Sequence, residues 1–175
     1  MSSYILSCCS TADLSLAHFA ARNINYVCFH FAVDGAEYSD DLGVSMPFEE
    51  FYAKMSAGAD TRTSQVNVSE YTEYFSRFLE QGKDIVHVCL SSGLSGTINS
   101  ARNAAMILAE RYPERQIYIV DSLGASSGYG MLMDMAADRR DEGFSAPELV
   151  NWLEENPPLY GYEQTLFPIV QGGVY

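Results

Sequence analysis

The sequence predicts an α/β protein, a three-layer α/β/α sandwich built on a mostly parallel sheet. The first observation is alternation, because short apolar runs rich in β-forming residues are separated by segments with helical period. The second is the run at residues 85–90, which is apolar except for His87. Such a run is typical of a strand that helices cover on both faces, as they do in a parallel sheet.

Apolar runs predict the strands in chain order. β-Branched and aromatic residues concentrate in four places along the chain. The four predicted strands are residues 4–8, 26–33, 85–90 and 117–120. Because helical segments lie between them, we expect these strands to pair mostly in parallel.

Capping signals and apolar periodicity predict the helices. Asn67 lies three residues before Glu70, and Ser145 lies three residues before Glu148, which is the spacing of a capping box. After Thr97, apolar residues recur every three or four positions and predict one apolar helical face. Helix ends are expected at three glycines: Gly58, Gly82 and Gly143.

The chain divides near residue 155. No repeat, low-complexity tract or linker interrupts residues 1–155, so this stretch is predicted as one domain. Pro157 and Pro158 then break the helical pattern, and aromatic residues and glycines follow without a clear period. Residues 156–175 are therefore predicted as a separate tail.

Composition excludes several classes of partner. The 10 basic residues against 23 acidic ones give a formal charge of −13, so nucleic acid, whose phosphates need clustered lysine and arginine, is not expected as a partner. No apolar run approaches the roughly 20 residues that span a bilayer. No basic segment precedes the first strand, so we expect no secretory signal and a cytoplasmic location.

The cysteines are interpreted as small buried thiols in a reducing compartment. All of them lie in or beside apolar runs, and the adjacent pair does not have CxxC spacing. They are Cys8, Cys9, Cys28 and Cys89. We therefore expect no metal site.

Polar loops are the candidate sites of chemistry, because ligands of open parallel sheets bind beyond the carboxyl ends of the strands. Hydroxyls and glycines are concentrated in four of them: residues 7–13, 61–65, 91–97 and 121–128. We expect these loops to converge at one end of the sheet. If they do, donors from several loops can act on one ligand.

The loop at residues 91–97 has the strongest signal. Gly93 allows close approach of the backbone, while the hydroxyls of Ser92 and Ser95 and the free N–H groups of a helix start can bind an anion. A helix N-terminus stabilises a carboxylate by about 0.3–1 kcal/mol at an exposed site. Plain helix capping with a tight turn explains the same residues, and this alternative stays open.

Two further loops contribute weaker signals. Thr63 and Ser64 add hydroxyls before the capped helix at Asn67, although an ordinary solvated loop explains them as well. Asp121 and Ser122 end a strand, where the aspartate can simply orient loop backbone through hydrogen bonds.

Catalytic motifs fit poorly, so we do not predict an enzyme. The residues around Ser95 lack the final glycine of a GxSxG nucleophile elbow, and no GxxxxGK[ST] loop is present. The histidines lie in predicted strands or a predicted helix rather than in strand-end loops. They are His18, His30 and His87.

Three of these segments also form an ordered set of motifs. Thr63-Ser64-Gln65 comes first, Ser-Ser-Gly-Leu-Ser-Gly-Thr follows at residues 91–97, and Asp121-Ser122 comes next, followed by small residues and glycines. In order and spacing they resemble the motifs of the DegV family, bacterial fatty-acid-binding proteins. The segment that starts at Ser10 is similar to that family as well, and the resemblance covers residues 4–155. Cys9 differs, since the family usually has aspartate there.

The resemblance implies a DegV-like N-terminal domain and a bound long-chain fatty acid, with no other cofactor. It implies that Thr63 and Ser92 hold the carboxylate, with Ser64, Gly93 and Ser95 nearby. Three further residues would support the loops: Ser10, Asp121 and Ser122. Some members of the family present the acid to a separate kinase subunit, which would supply the ATP and metal chemistry.

The family normally continues into a C-terminal domain, so residues 156–175 are interpreted as a divergent or truncated tail that replaces its start. Two alternatives to a fatty acid carrier are kept open. One is an enzyme, either a serine-dependent acyl hydrolase that uses Ser92 or Ser95 or a small-molecule phosphotransfer protein. The other is an incomplete domain that acts by self-association as a homo-oligomer.

Overall fold

The computed structural model describes residues 4–156, which form seven strands and six α-helices. The strands are β1 (Tyr4–Cys9), β2 (Asn25–Val27), β3 (His30–Val33), β4 (Ala36–Ser39), β5 (Thr61–Ser64), β6 (Asp84–Cys89) and β7 (Ile117–Asp121). The helices are α1 (Leu16–Ala21), α2 (Phe48–Ser56), α3 (Val68–Leu79), α4 (Thr97–Arg111), α5 (Ser126–Asp141) and α6 (Ala146–Glu155). A 3-10 turn, Ser10–Ala12, follows β1.

The central sheet is parallel throughout, in the order β2-β1-β6-β7. Helices cover both of its faces, as predicted. On one face the thiol of Cys9 lies 3.3 Å from the Tyr71 hydroxyl of α3, and on the other the thiol of Cys8 lies near Tyr129 of α5. Adjacent residues of a strand point to opposite faces, so these two contacts mark the two helical layers. The α/β/α prediction is confirmed.

A second sheet is antiparallel, in the order β4-β3-β5, and the sequence did not reveal it. The predicted strand at residues 26–33 is in fact two strands, because the chain leaves the central sheet after β2 and enters the second sheet at β3. Phe29 marks the junction: its N–H donates to Ser10 Oγ at 3.1 Å, and its carbonyl accepts from the N–H of Asp40 at 2.8 Å. Continuous apolar character concealed this change of sheet.

Residues 61–64 were predicted as a loop, and that prediction is wrong, because they form β5. Its residues pair with β3, so that Thr63 lies opposite Phe31 and Ser64 lies opposite His30. A short run of hydroxyl and arginine side chains has little apolar signal. It becomes a strand only because β3 supplies backbone partners.

The local helix signals are confirmed. Asn67 accepts from the Glu70 N–H at 3.1 Å, and the Glu70 carboxylate accepts from the Asn67 N–H at 2.8 Å. The Glu148 carboxylate likewise accepts from the backbone N–H and the hydroxyl of Ser145. The three glycines at helix ends all have the positive φ of a C-cap: Gly58, Gly82 and Gly143.

Three of the cysteines are buried and Cys28 is half-buried, and all four are free thiols. Across residues 4–156, no helix has the length and apolar character that a membrane span requires. Helix α6 ends at Glu155, and the predicted tail from residue 157 onward lies outside the described residues.

Candidate functional site

The loop between β6 and α4 folds into a compact turn around Ser91. The carbonyl of this buried serine accepts from the N–H groups of Leu94 and Ser95 at 3.0 and 3.1 Å, and its hydroxyl accepts from the N–H of Gly93 at 3.2 Å. Ser92 and Gly93 therefore lie on the exposed outer side of the turn. This turn presents small polar groups at the carboxyl end of a central strand.

Helix α4 begins at this turn without a side-chain cap from its N-cap residue, Gly96. Instead the hydroxyl of Ser95 accepts from the N–H of Thr97 at 3.2 Å. The capping interpretation of this loop therefore holds for Ser95, whereas Ser92 does not cap the helix.

Asp121 ties the end of β7 to the serine turn. Its Oδ1 accepts from the N–H of Ser92 at 3.2 Å and from the N–H of Leu123 at 3.0 Å. Leu123 has a left-handed backbone with φ of 51°, so the aspartate stabilises an otherwise strained turn. Ser122 is buried, and its hydroxyl bonds within the same turn, to the carbonyl and the N–H of Gly124.

The second sheet reaches the same place through Gln65. Directly after β5, the side-chain oxygen of Gln65 accepts from the Ser95 hydroxyl at 3.0 Å. A Cβ added at Gly96 would stand 3.3 Å from that same oxygen, so glycine gives the amide room to approach. Thr63 and Ser64, both exposed, immediately precede this contact. The segments at residues 61–65 and 91–97 are thus joined directly.

Ser10 has an internal role. It is fully buried, and its hydroxyl accepts the Phe29 N–H that marks the junction between the two sheets. Its backbone carbonyl accepts from the N–H of Asp13, which ends the 3-10 turn with φ of 54°. Ser10 therefore supports the junction rather than presenting a free hydroxyl.

The charge near these loops is mostly negative or neutralised. Desolvation raises the pKa of Asp13; a hydrogen bond from Ser126 opposes this shift and the nearby charge of Asp40 adds to it. Arg62 in β5 forms an ion pair with Asp60 at 3.1 Å. Neutral hydroxyl donors are therefore the groups that the loops offer to an anion. Within residues 4–156 no group of three or more histidine, cysteine, aspartate or glutamate side chains is arranged to hold a metal ion.

A scan against family models matches residues 9–158 to the model described as "Uncharacterised protein, DegV family". The chain belongs to the DegV family. It is 36% identical over 156 residues to a DegV domain-containing protein of Clostridium perfringens, an alignment that covers 89% of this chain and 54% of that protein. The chain therefore spans about half the length of the curated relatives it matches.

Solved structures of DegV relatives have the same fold. A stearic acid-binding protein from Eubacterium ventriosum is 28% identical, with a TM-score of 0.79, and the match covers 86% of this chain and 52% of that one. The fatty acid kinase B3 protein of Streptococcus pneumoniae, loaded with linoleic acid, is 25% identical, with a TM-score of 0.70 over 90% of this chain and 54% of that one. Both matches confirm the predicted DegV fold.

Sequence reasoning missed two features of the candidate site. The role of Gln65 as the bridge between the segments was not assigned, although the residue belongs to the Thr-Ser-Gln motif. A buried hydrogen bond between the hydroxyls of Tyr71 and Thr97 was also missed. Its signal was a tyrosine hydroxyl on an otherwise apolar helix face, which requires a polar partner when buried.

Proposed function

We propose that this chain binds a long-chain fatty acid and holds its carboxylate with the hydroxyls of Thr63, Ser64 and Ser92. Ser95 and Gly93, which donate to Gln65 and to Ser91, shape the turn beside these donors. The observation that carries the proposal is the Ser95–Gln65 hydrogen bond, because it joins the two segments that present these donors. The DegV relatives with bound stearic and linoleic acid support the same ligand class.

Free donors support this assignment. Within residues 4–156, the hydroxyls of Thr63, Ser64 and Ser92 take part in no hydrogen bond, so they are available to a ligand. A carboxylate that accepts from such donors forms charge-assisted hydrogen bonds, each contributing about 1.5–3 kcal/mol. In the serine turn and the Asp121 turn, Leu94 and Leu123 are 38% and 42% exposed, and they offer apolar surface to the first methylenes of an acyl chain.

The test compares single variants with palmitate as the probe. We expect Thr63→Val and Ser92→Ala each to weaken palmitate binding by about tenfold or more in calorimetric titration, since each removes a charge-assisted hydrogen bond. Ser56→Ala, an exposed serine at the end of α2, is the matched control and should leave affinity unchanged. Unchanged affinity in both site variants would remove these residues from the site. A wild-type chain that neither takes up palmitate nor copurifies with a lipid would refute the function itself.

We further propose that the bound acid is presented to a separate fatty acid kinase subunit, which supplies the ATP and metal. The similarity to the kinase B3 protein supports this partner. The expected result is ATP-dependent conversion of the acid to an acyl phosphate only when carrier and kinase are both present. Conversion by the kinase alone at the same rate would contradict it.

The geometry favours a carrier over a serine hydrolase. Each histidine of the described residues is engaged elsewhere: His18 with Asp134, His30 with Glu70, and His87 with Ser7 in the core. None therefore serves as a general base for Ser92 or Ser95. Labelling of either serine by a reactive fluorophosphonate would contradict this assignment.

A further inference from the structure

Polar side chains form a hydrogen-bonded series through the core beneath the serine turn. Ser7 Oγ lies 2.7 Å from the Tyr74 hydroxyl and 2.9 Å from His87 Nδ1, while the other ring nitrogen of His87 is 3.8 Å from Cys9 Sγ. Cys9 Sγ is in turn 3.3 Å from the Tyr71 hydroxyl. We call this set, together with Thr97, the buried polar relay. All of its members are at most 4% exposed.

One end of the relay reaches the candidate carboxylate site. The Tyr71 hydroxyl lies 3.0 Å from Thr97 Oγ1, in the first residue of α4. The N–H of Thr97 donates to the Ser95 hydroxyl at 3.2 Å, and that hydroxyl donates to Gln65 at 3.0 Å. Tyr71 is therefore linked through one residue to the contact that joins the two segments of the site.

The Tyr71 side chain is fixed by its buried surroundings. Its ring is fully buried against Phe75 and His87, with ring centroids 5.3 Å away in each case. Burial, with the nearby thiol of Cys9, raises the pKa of this hydroxyl well above its usual range, so it stays protonated and neutral. The Thr97 hydroxyl is also fully buried, and a buried hydroxyl without a partner is costly, so its contact with Tyr71 holds Thr97 in one orientation.

We propose that Tyr71 is a positioning residue for the carboxylate site, acting through Thr97 on Ser95 and Gln65. The inference rests on the proposed fatty acid binding. By fixing the first residue of α4, Tyr71 keeps the Ser95 hydroxyl directed at Gln65 and the neighbouring donors in register. Donors held in place before binding lose less conformational entropy when the ligand arrives.

The chain offers a matched control, because Tyr74 lies one helical turn away on α3. Both tyrosines are buried and each hydroxyl bonds in the core, but that of Tyr74 bonds to Ser7, at the far end of the relay. We expect Tyr71→Phe to raise the Kd for palmitate by about threefold to tenfold, the range set by one lost neutral hydrogen bond. Tyr74→Phe should lower stability to a similar extent and change the Kd less than about twofold. Equal Kd values for the two variants would overturn the proposal.

Substitutions of Thr97 test the same contact without changing the tyrosine. Thr97→Ser keeps the hydroxyl and should bind palmitate as wild type does, whereas Thr97→Val should match Tyr71→Phe. Because both changes break the same contact, the double variant should lose no more affinity than either single one. Additive losses would show that Tyr71 does not act through Thr97.

Amide hydrogen exchange distinguishes a failure of the role of Tyr71 from a failure of fatty acid binding. Without any lipid, Tyr71→Phe should speed hydrogen exchange at the Thr97 N–H, and Tyr74→Phe should not. If wild-type protein binds no palmitate, the proposed function fails and positioning of a carboxylate site fails with it, whatever the exchange rates. If palmitate binds and Tyr71→Phe changes neither Kd nor exchange, only the role of Tyr71 is refuted.

Discussion

The two sheets differ in how completely they bury their side chains. Every residue of β6 after Asp84 is buried, and neighbouring β1 is buried except for half-buried Ile5. The second sheet is thin: β5 has no buried residue, and in β3 only Val33 is buried. Hydrophobic stabilisation of the fold therefore comes mainly from the central sheet, because it scales with the apolar area removed from water.

The two sheets also position different residues of the candidate site. The central sheet and its helices hold the serine turn and the Asp121 turn at fixed strand ends. Thr63 and Ser64 lie in β5 of the lightly packed second sheet, and Gln65 follows directly after it. Binding groups of many proteins lie on mobile segments that a rigid scaffold positions. Here we expect the scaffold to be stable and the second sheet to be the more easily opened part.

The largest expected effect separates the two sheets by stability. Leu6→Ala in β1 should lower the free energy of unfolding by about 2–5 kcal/mol, because it opens a cavity in a fully packed core. Tyr38→Ala in β4, which loses a half-buried ring stacked on Phe31 at 5.3 Å, should cost only about 1 kcal/mol. Urea denaturation monitored by circular dichroism measures both. Similar losses would mean that the sheets share one cooperative core.

A smaller effect tests how the second sheet is anchored. Asn67→Ala should cost about 1 kcal/mol by removing the cap of α3 directly after β5 and Gln65. Ser145→Ala removes the hydroxyl that donates to the Glu148 carboxylate at the start of α6, a helix that packs on α5, and is the control. We expect only the Asn67 variant to speed amide exchange in β5. Equal exchange in both variants would show that the cap does not restrain the second sheet.

The smallest effect concerns Asp13, at the junction of the sheets. Its folded-state pKa is raised by desolvation, so the ionised carboxylate destabilises the folded chain at neutral pH. Asp13→Asn removes this charge and tolerates the left-handed backbone, so it should be slightly more stable than wild type at pH 7. The advantage should shrink as pH falls through the raised pKa and vanish below the ordinary aspartate value of about 3.9. Denaturation at a series of pH values checks this, and an advantage that persists at low pH would contradict it.

Local signals were sufficient for much of the fold. Asn67 with Glu70, and the glycines at the helix ends, act through neighbours a few residues away, so their hydrogen bonds are encoded in short stretches of sequence. The near-continuous apolar character of β6 likewise predicted a strand covered on both faces. The DegV resemblance rested on motifs that are also local.

Pairing between distant segments could not be predicted from local sequence signals. The break between β2 and β3 depends on Ser10 receiving the Phe29 N–H across 19 residues, and β5 exists because β3 lies beside it. The Gln65–Ser95 and Tyr71–Thr97 bonds join positions 30 and 26 residues apart. Periodicity in the sequence carries no information about partners so far apart along the chain.

The sequence alone determined the layered α/β architecture, several of the helix boundaries and the family, because periodicity, caps and short motifs act over a few residues. Only the tertiary structure decided that residues 61–64 are a strand and that a second sheet exists. It also decided that the buried hydroxyl of Tyr71 contacts Thr97 at the start of α4. The physical reason is that the hydrogen-bond partner of a buried polar group can lie far along the chain, so the residues next to that group in the sequence do not indicate its partner.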